Sequence, residues 1–341
     1  MNKKTSIKDI ARIVGVSTAS VSYVLNGKEK EAKIGKEIAT KIRATAEKLN
    51  YQPNFFARSL QSGSTKMIGL ILEDIANPFF SLVARIIEQE AQKIGYTVVI
   101  GCHYENAEKL EMLLTSLLLR QVDGIIISPV DHSETQLKKL QKAGMPYVLF
   151  DRYFPAVPSN AVTINNFDIS YQAVSHLAEQ GYKNIGMIAF ASGFEHMNDR
   201  LKGYQQALKD HQLKQSKNTV LKVTFDDMQS GTDNAIYKML IAKNRPDALL
   251  FANNVIGINA LNVINQMGIK VPEEIGLICF DERDAFDFFY APLTYIQQNL
   301  TEIGEQALRI LMNLLKGKQD GISNIVVEAR LIVRKSSIRH T

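Results

Sequence analysis

At 341 residues with 45% hydrophobic and 22% charged side chains, the chain is too long for a mini-domain and long enough for a small module plus a two-part core. Its formal charge is only +5, yet residues 1–66 carry 13 Lys/Arg against 5 Asp/Glu, the footprint of a basic nucleic-acid module on a slightly acidic body with another task. Cys102 and Cys279 have no Cys or His at metal-ligand spacing, which argues against a disulfide framework or zinc site; no signal-peptide core or run of about 18 apolar residues is present, so a cytoplasmic protein without cofactor or membrane partner is expected.

Apolar residues at helical spacing predict helices over 7–14, 17–25 and about 34–49. Ser6 followed by Asp9 is a capping-box-like start. Gly15 breaks the chain and Ser17 can cap the second helix with its hydroxyl, giving helix, tight turn, helix. Ile10, Val14, Val16, Val21 and Leu25 fall on faces that can meet, which leaves Thr18, Ala19, Ser22 and Tyr23 exposed on a small, polar, acid-free face. After Pro53, about two helical turns lead into a Gly/Ser stretch; so short a helix is marginal in water and should fold only when docked. From Lys66 onward, apolar strand-like runs alternate with amphipathic helical segments, as in parallel α/β units. Strands are predicted over 67–72, 97–101, 124–128 and 147–150, then over 184–189, 220–224, 248–252 and 275–280. Two such series imply two subdomains, each with its own sheet.

The segment Ile7-Lys-Asp-Ile-Ala-Arg-Ile-Val-Gly-Val-Ser-Thr-Ala-Ser-Val-Ser-Tyr-Val-Leu-Asn-Gly27 resembles the helix-turn-helix of the lactose-repressor family of bacterial regulators. The resemblance runs on through Leu49-Asn-Tyr-Gln-Pro-Asn54 and Ala57-Arg-Ser-Leu60. In the core it includes Ala76-Asn-Pro-Phe-Phe80, Phe150-Asp-Arg152, Arg200-Leu-Lys-Gly-Tyr204, Phe280-Asp281 and Arg330-Leu-Ile-Val-Arg-Lys-Ser336, in the family's order, so it covers effectively the whole chain. It implies an all-α helix-turn-helix headpiece over 1–52, a hinge helix and linker over 53–65, and a core over 66–341 like a periplasmic binding protein. That core would hold two doubly wound parallel-sheet subdomains: an N-subdomain of about 66–166 plus 297–322, and a C-subdomain of about 167–296 plus 323–341.

The implied function is a repressor of carbohydrate-utilisation genes, not an enzyme. It would bind double-stranded palindromic operator DNA as a homodimer under control of a small sugar or sugar-derived effector. The implied DNA-binding residues are Ser6, Ser17, Thr18, Ala19, Ser22, Tyr23, Asn26, Asn54, Ala57, Arg58 and Leu60, with Thr18, Ala19 and Tyr23 at base-reading positions near the start of a groove-seated helix. Many members carry Arg where this chain has Tyr23, so their base preference does not transfer. Leu60 either wedges into the minor groove or packs the linker against the core. The implied effector residues are Phe79, Phe80, Asp151, Asn198, Arg200, Asn253, Asp281 and Gln298, a mixture of aromatic faces with acids, amides and Arg that suits sugar hydroxyls. Taken singly, Phe79 could be core, Arg200 a surface ion pair and Asp281 a helix cap. Asn165 and Asn254 stand where the family often has Asp, which would make the cleft kinder to a neutral or anionic ligand.

Two other uses of this architecture stay open at this level: sensing a non-sugar metabolite such as a nucleobase, and, lower, sugar chemistry or transport. The chain shows no nucleophile elbow, phosphate-cradling Gly loop or paired histidines for catalysis, and the basic head argues against a transport protein.

Overall fold

The structure is a computed structural model that describes residues 5–51, 63–214, 219–224, 230–318 and 321–339. Asn54, Ala57, Arg58 and Leu60, expected in the hinge, lie outside the described residues. The chain divides into two compact units, Met1–Thr65 and Lys66–Thr341.

In the first unit, α1 (Ile7–Val14), α2 (Thr18–Leu25) and α3 (Lys36–Lys48) pack around Ile10, Ala11, Val21, Val24, Ala39, Ile42 and Ala46, with Val14, Val16 and Leu25 at the edge of this core. Local chemistry sets the helix ends. The Asp9 carboxylate accepts from the Ser6 N–H at 3.0 Å and the Ser6 hydroxyl at 2.7 Å, placing negative charge at the positive end of α1. Gly15 ends α1 in the left-handed region at φ 77°, which costs glycine nothing. Two residues later the Ser17 hydroxyl accepts from the Ser20 N–H at 3.0 Å, satisfying a donor that the helix cannot.

The second unit holds two six-stranded sheets. The first joins β1 (Met67–Leu72), β2 (Thr97–Cys102), β3 (Gly124–Ile127), β4 (Tyr147–Phe150), β5 (Ala161–Ile164) and β11 (Asn324–Val327) in the order β11-β5-β4-β3-β1-β2, all parallel. The second joins β6 (Ile185–Phe190), β7 (Val220–Val223), β8 (Ala248–Phe251), β9 (Gly276–Phe280), β10 (Thr294–Gln297) and β12 (Arg330–Ile332) in the order β12-β10-β9-β8-β6-β7; only β12 runs antiparallel to its neighbour. Central strands such as Gly124–Ile127 are buried throughout, because helices cover both faces of a parallel sheet.

Each sheet has a topological switch point, between β1 and β3 in the first and between β6 and β8 in the second. Ligand crevices form beyond the carboxyl ends of strands at such points. The helices α4 (Pro78–Lys93), α5 (Ala107–Leu119) and α6 (Glu134–Lys142) belong to the first subdomain, and α7 (Asn166–Glu179), α8 (Glu195–Asp210), α9 (Ser230–Ile241), α10 (Asn254–Gln266) and α11 (Ala285–Phe288) follow in the second. The last long helix, α12 (Leu300–Leu315), packs back on α4.

The chain passes between the subdomains three times, after β5, after β10 and after β11. The third passage corrects the expected limit at 322/323: residues 324–327 pair with β5 in the first sheet, and the chain leaves it only at Glu328 and Ala329. Asn165 ties two passages together, its side-chain oxygen accepting from the Ala329 N–H at 2.9 Å while its own N–H donates to the Val327 carbonyl.

Candidate functional site

On α2, Thr18, Ala19 and Tyr23 are exposed, as is Asn26 just past its end, and Ser22 between them is half-buried. Their spacing places them in one stripe, opposite the buried Val21 and Val24. The Asn26 amide donates to the Ser22 hydroxyl at 3.4 Å, and no acid stands in the first turn of α2. Ser6 and Ser17 sit at the N-termini of α1 and α2. The N-terminus of α2, with no carboxylate in its first turn, is compatible with a polyanion, whereas that of α1 is already occupied by Asp9.

In the second unit, residues from both switch points meet in a narrow cleft of about 30 Å³. Phe79, Phe80, Asp151, Arg200, Asn253, Asp281 and Gln298 line it. Phe79, Asp281 and Gln298 also border a larger open groove of about 1140 Å³. Phe79 and Phe80 open α4, their rings edge to face at 4.9 Å. Arg200 projects from α8, only 3% exposed. Its Nε donates to the Asn166 side-chain oxygen at 2.7 Å and its Nη1 to the Ala252 carbonyl at 2.6 Å, and its guanidinium carbon lies 3.9 Å from the centre of the Phe280 ring. Asp281, directly after β9, accepts from the Gln298 amide at 2.5 Å.

The electrostatics follow from burial. Desolvation raises the Asp151 and Asp281 carboxyls above the ordinary range; Arg152 and Arg200 pull Asp151 back, and Arg200 with Gln298 pulls Asp281 back. Burial pushes the Glu73 carboxyl up to about 7 against the pull of Arg152, with Glu105 and Asp151 adding to the rise. It holds His196 well below the usual imidazole value, aided by Arg200 and Arg152.

Residues 6–54 match the model of bacterial regulatory proteins of the lacI family, and residues 174–337 match that of the periplasmic binding protein-like domain. The HTH-type transcriptional repressor PurR of Haemophilus influenzae is 30% identical over 335 residues, covering 97% of this chain and 98% of that protein. This chain belongs to the lacI family. Also similar is the ribose operon repressor of Haemophilus influenzae, 29% identical over 331 residues, 97% of this chain and 98% of that one. A solved structure of the lac repressor dimer bound to operator and an anti-inducer has the same fold, with a TM-score of 0.86 at 23% identity over 98% of this chain and 100% of its own.

This lacI-family chain is thus a DNA-binding transcription regulator with a two-subdomain α/β core, and its relatives are not enzymes. No helix among its described residues is long and apolar enough to cross a membrane.

Within the lacI-family core, Asn198 does not line the cleft. On α8 it lies two residues from Arg200, about 200° round the helix. The same face carries His196 and Met197 into the lining, positions that sequence reasoning missed although they stand four and three residues before Arg200. Also missed were Glu73, Asn77, Arg152 and Phe190; Asn77 and Arg152 lay inside the quoted motifs, whereas Glu73 had no local signal. The Nδ1 of His196 is buried with no hydrogen-bond partner among the described residues.

Direct contacts close this cleft. Asp131 of the first subdomain accepts from the Gly193 N–H of the second at 2.8 Å. The Asn254 amide donates to the Asn77 side-chain oxygen at 3.3 Å. Phe194, from the second subdomain's chain, buries its ring 5.3 Å from that of Phe154 within the core of the first. Asn165 and Asn254 therefore hold passages and subdomains together, and neither lines the cleft.

Proposed function

We propose that this lacI-family regulator is a repressor that grips a palindromic operator as a homodimer and is controlled by a small, neutral sugar held in the cleft. The observation that carries this reading is the convergence of Arg200, Asn253, Asp281 and Gln298 with Asp151, Phe79 and Phe80 on one cleft at the strand ends of both sheets. Sugar hydroxyls both donate and accept, so a ring with hydroxyls on its whole edge uses carboxylates, amides and guanidinium together, while its apolar face lies on an aromatic ring. The ribose operon repressor among its relatives supports this choice.

Thr18, Ala19 and Tyr23 are the base readers, with Ser6, Ser17, Ser22 and Asn26 beside them and Asn54, Ala57, Arg58 and Leu60 serving the hinge. Homodimers present two such headpieces to the two halves of a symmetric site. Effector binding favours one closure angle of the subdomains and shifts the fraction of hinges able to dock; a coupling of about 1 to 3 kcal/mol is enough for a switch.

A nucleobase effector is the second reading, favoured by the PurR relatives. Thermal unfolding against monosaccharides, disaccharides, sugar phosphates and nucleobases separates the two. A ligand at about 100 times its dissociation constant adds about 2.7 kcal/mol. Stabilisation by a neutral sugar is expected; stabilisation by a nucleobase and by no sugar would overturn the sugar reading.

A further inference from the structure

The wall that the first subdomain gives to the cleft has a charge arrangement that sugar binding alone does not require. Arg152, directly after Asp151, has its side chain 11% exposed and is surrounded by acids. One terminal nitrogen donates to Glu105 and to the Pro129 carbonyl, and the other donates to Glu73. Its Nε stands 3.4 Å from Asp151, and the guanidinium carbon lies 5.0 Å from the centre of the Phe194 ring.

Glu73 is the first residue beyond β1 and lines the cleft beside Arg152. Across the cleft, Arg200 is committed to Asn166, Ala252 and the face of Phe280, with Asp281 on the same side. Four carboxyl groups, Glu73, Glu105, Asp151 and Asp281, thus accompany two guanidinium groups. An anionic ligand would have to displace a carboxylate from Arg152 or lie against one in a poorly screened space, where like charges repel most strongly.

We propose that Glu73 is a specificity determinant of the cleft: by occupying Arg152 it makes the site refuse phosphorylated and other anionic ligands and admit neutral polyols. The inference rests on the cleft being the effector site, and it assigns rejection to one side chain. A neutral ligand meets Arg152 already compensated and can bond to the outer edges of Glu73 and Asp151 without separating charges. Specificity of this kind comes from the penalty imposed on the wrong ligand as much as from contacts to the right one.

The test uses the full-length protein at pH 8, above the titration of Glu73, with inorganic phosphate, D-ribose and D-ribose 5-phosphate as probes. Isothermal titration is run on the natural chain, Glu73→Gln and Glu105→Gln, against chloride at matched ionic strength. Removing either carboxylate frees the same guanidinium from a different side, so one variant suffices if the other fails to fold.

The natural chain should show no phosphate binding, and a folded variant should bind phosphate or the phosphate ester at least about tenfold more tightly than the natural chain does. Equal phosphate affinity in the natural chain and the variants would overturn the proposal, as would no gain in either folded variant. A gain of phosphate binding where no neutral sugar binds any form would uphold the role of Glu73 and defeat the sugar reading, so the two claims fail separately.

Discussion

Asp151 and Asp281 occupy equivalent places in the two subdomains, each the first residue beyond a strand, with left-handed backbones at φ 65° and 69°. Each sends its N–H to the strand alongside, Asp151 to the Val162 carbonyl at 2.9 Å and Asp281 to the Ile296 carbonyl at 3.1 Å. The left-handed region is uncommon for residues other than glycine, and Asp and Asn tolerate it best. Such strain concentrates at ligand sites because it aims a side chain where the regular strand would not.

Asp281→Asn keeps the backbone preference and removes the charge. Because burial raises the folded carboxyl above its unfolded value, ionising it costs the folded state stability as pH rises. The amide variant should therefore be as stable as the natural chain at pH 7 or more so. Its sugar affinity should fall by about 1.5–3 kcal/mol, the worth of hydrogen bonds to a charged acceptor. Calorimetry of unfolding and of binding on the same sample checks both; lost stability with intact affinity would be the wrong way round.

Helices α7 and α8 touch at Gly203, where a Cβ would stand 2.2 Å from the Phe167 carbonyl oxygen and 3.0 Å from the Tyr171 nitrogen. Both obstacles are backbone, so neither can rotate away. Gly203→Ala should destabilise the core by about 1–3 kcal/mol, as overpacking does, measured as a lower urea midpoint. It should also weaken effector binding, because α8 carries His196, Met197 and Arg200.

His103 is fully buried. Its Nδ1 accepts from the Glu105 N–H at 3.1 Å, so the proton sits on Nε2, which donates to the Ser128 carbonyl at 2.9 Å. Burial pushes this imidazole down to about 4, and Arg152 and Lys109 add to the fall while Glu105 opposes it. The unfolded chain takes up the proton first as pH falls, so His103 contributes stability that is fully present above about 6.5 and is lost toward pH 4, about 3 kcal/mol over that window. Nitrogen NMR should show His103 held as the neutral Nε2–H form at pH 5.5; a His103 resonance titrating near 6.5 would contradict this.

Tyr23 is 44% exposed and outside the headpiece core. Tyr23→Ala should leave the headpiece folded by circular dichroism. It should cost about 1–3 kcal/mol of specific DNA affinity and leave non-specific affinity, which phosphate contacts dominate, nearly unchanged. Equal losses on specific and random duplexes would remove Tyr23 from base reading.

Periodicity and caps made the headpiece legible: Ser6, Gly15 and Ser17 mark the turns by chemistry local to the chain. Long apolar runs did the same for β1 and β4, whose ends match the reading from sequence. The strands Ala161–Ile164, Thr294–Gln297 and Asn324–Val327 carry Thr, Gln or Asn among their apolar residues and so lack the unbroken apolar run of β4, and β11 owes its place to a distant partner, so the third passage falls later than the sequence suggests. Cleft-lining residues at strand ends, such as Asp281, were legible through motif order. Glu73 was not, because its meaning depends on Arg152, 79 positions away.

The most direct test of coupling between headpiece and cleft starts from a random pool of duplex DNA. Full-length protein selects its preferred sites from the pool, and affinity for the selected site is then measured with and without neutral monosaccharides, for the natural chain and for Arg200→Lys. A two-fold symmetric site should emerge, and one neutral sugar should change its affinity at least about fivefold in the natural chain and not in the variant. An asymmetric site, or an affinity that no neutral sugar changes, would contradict the account.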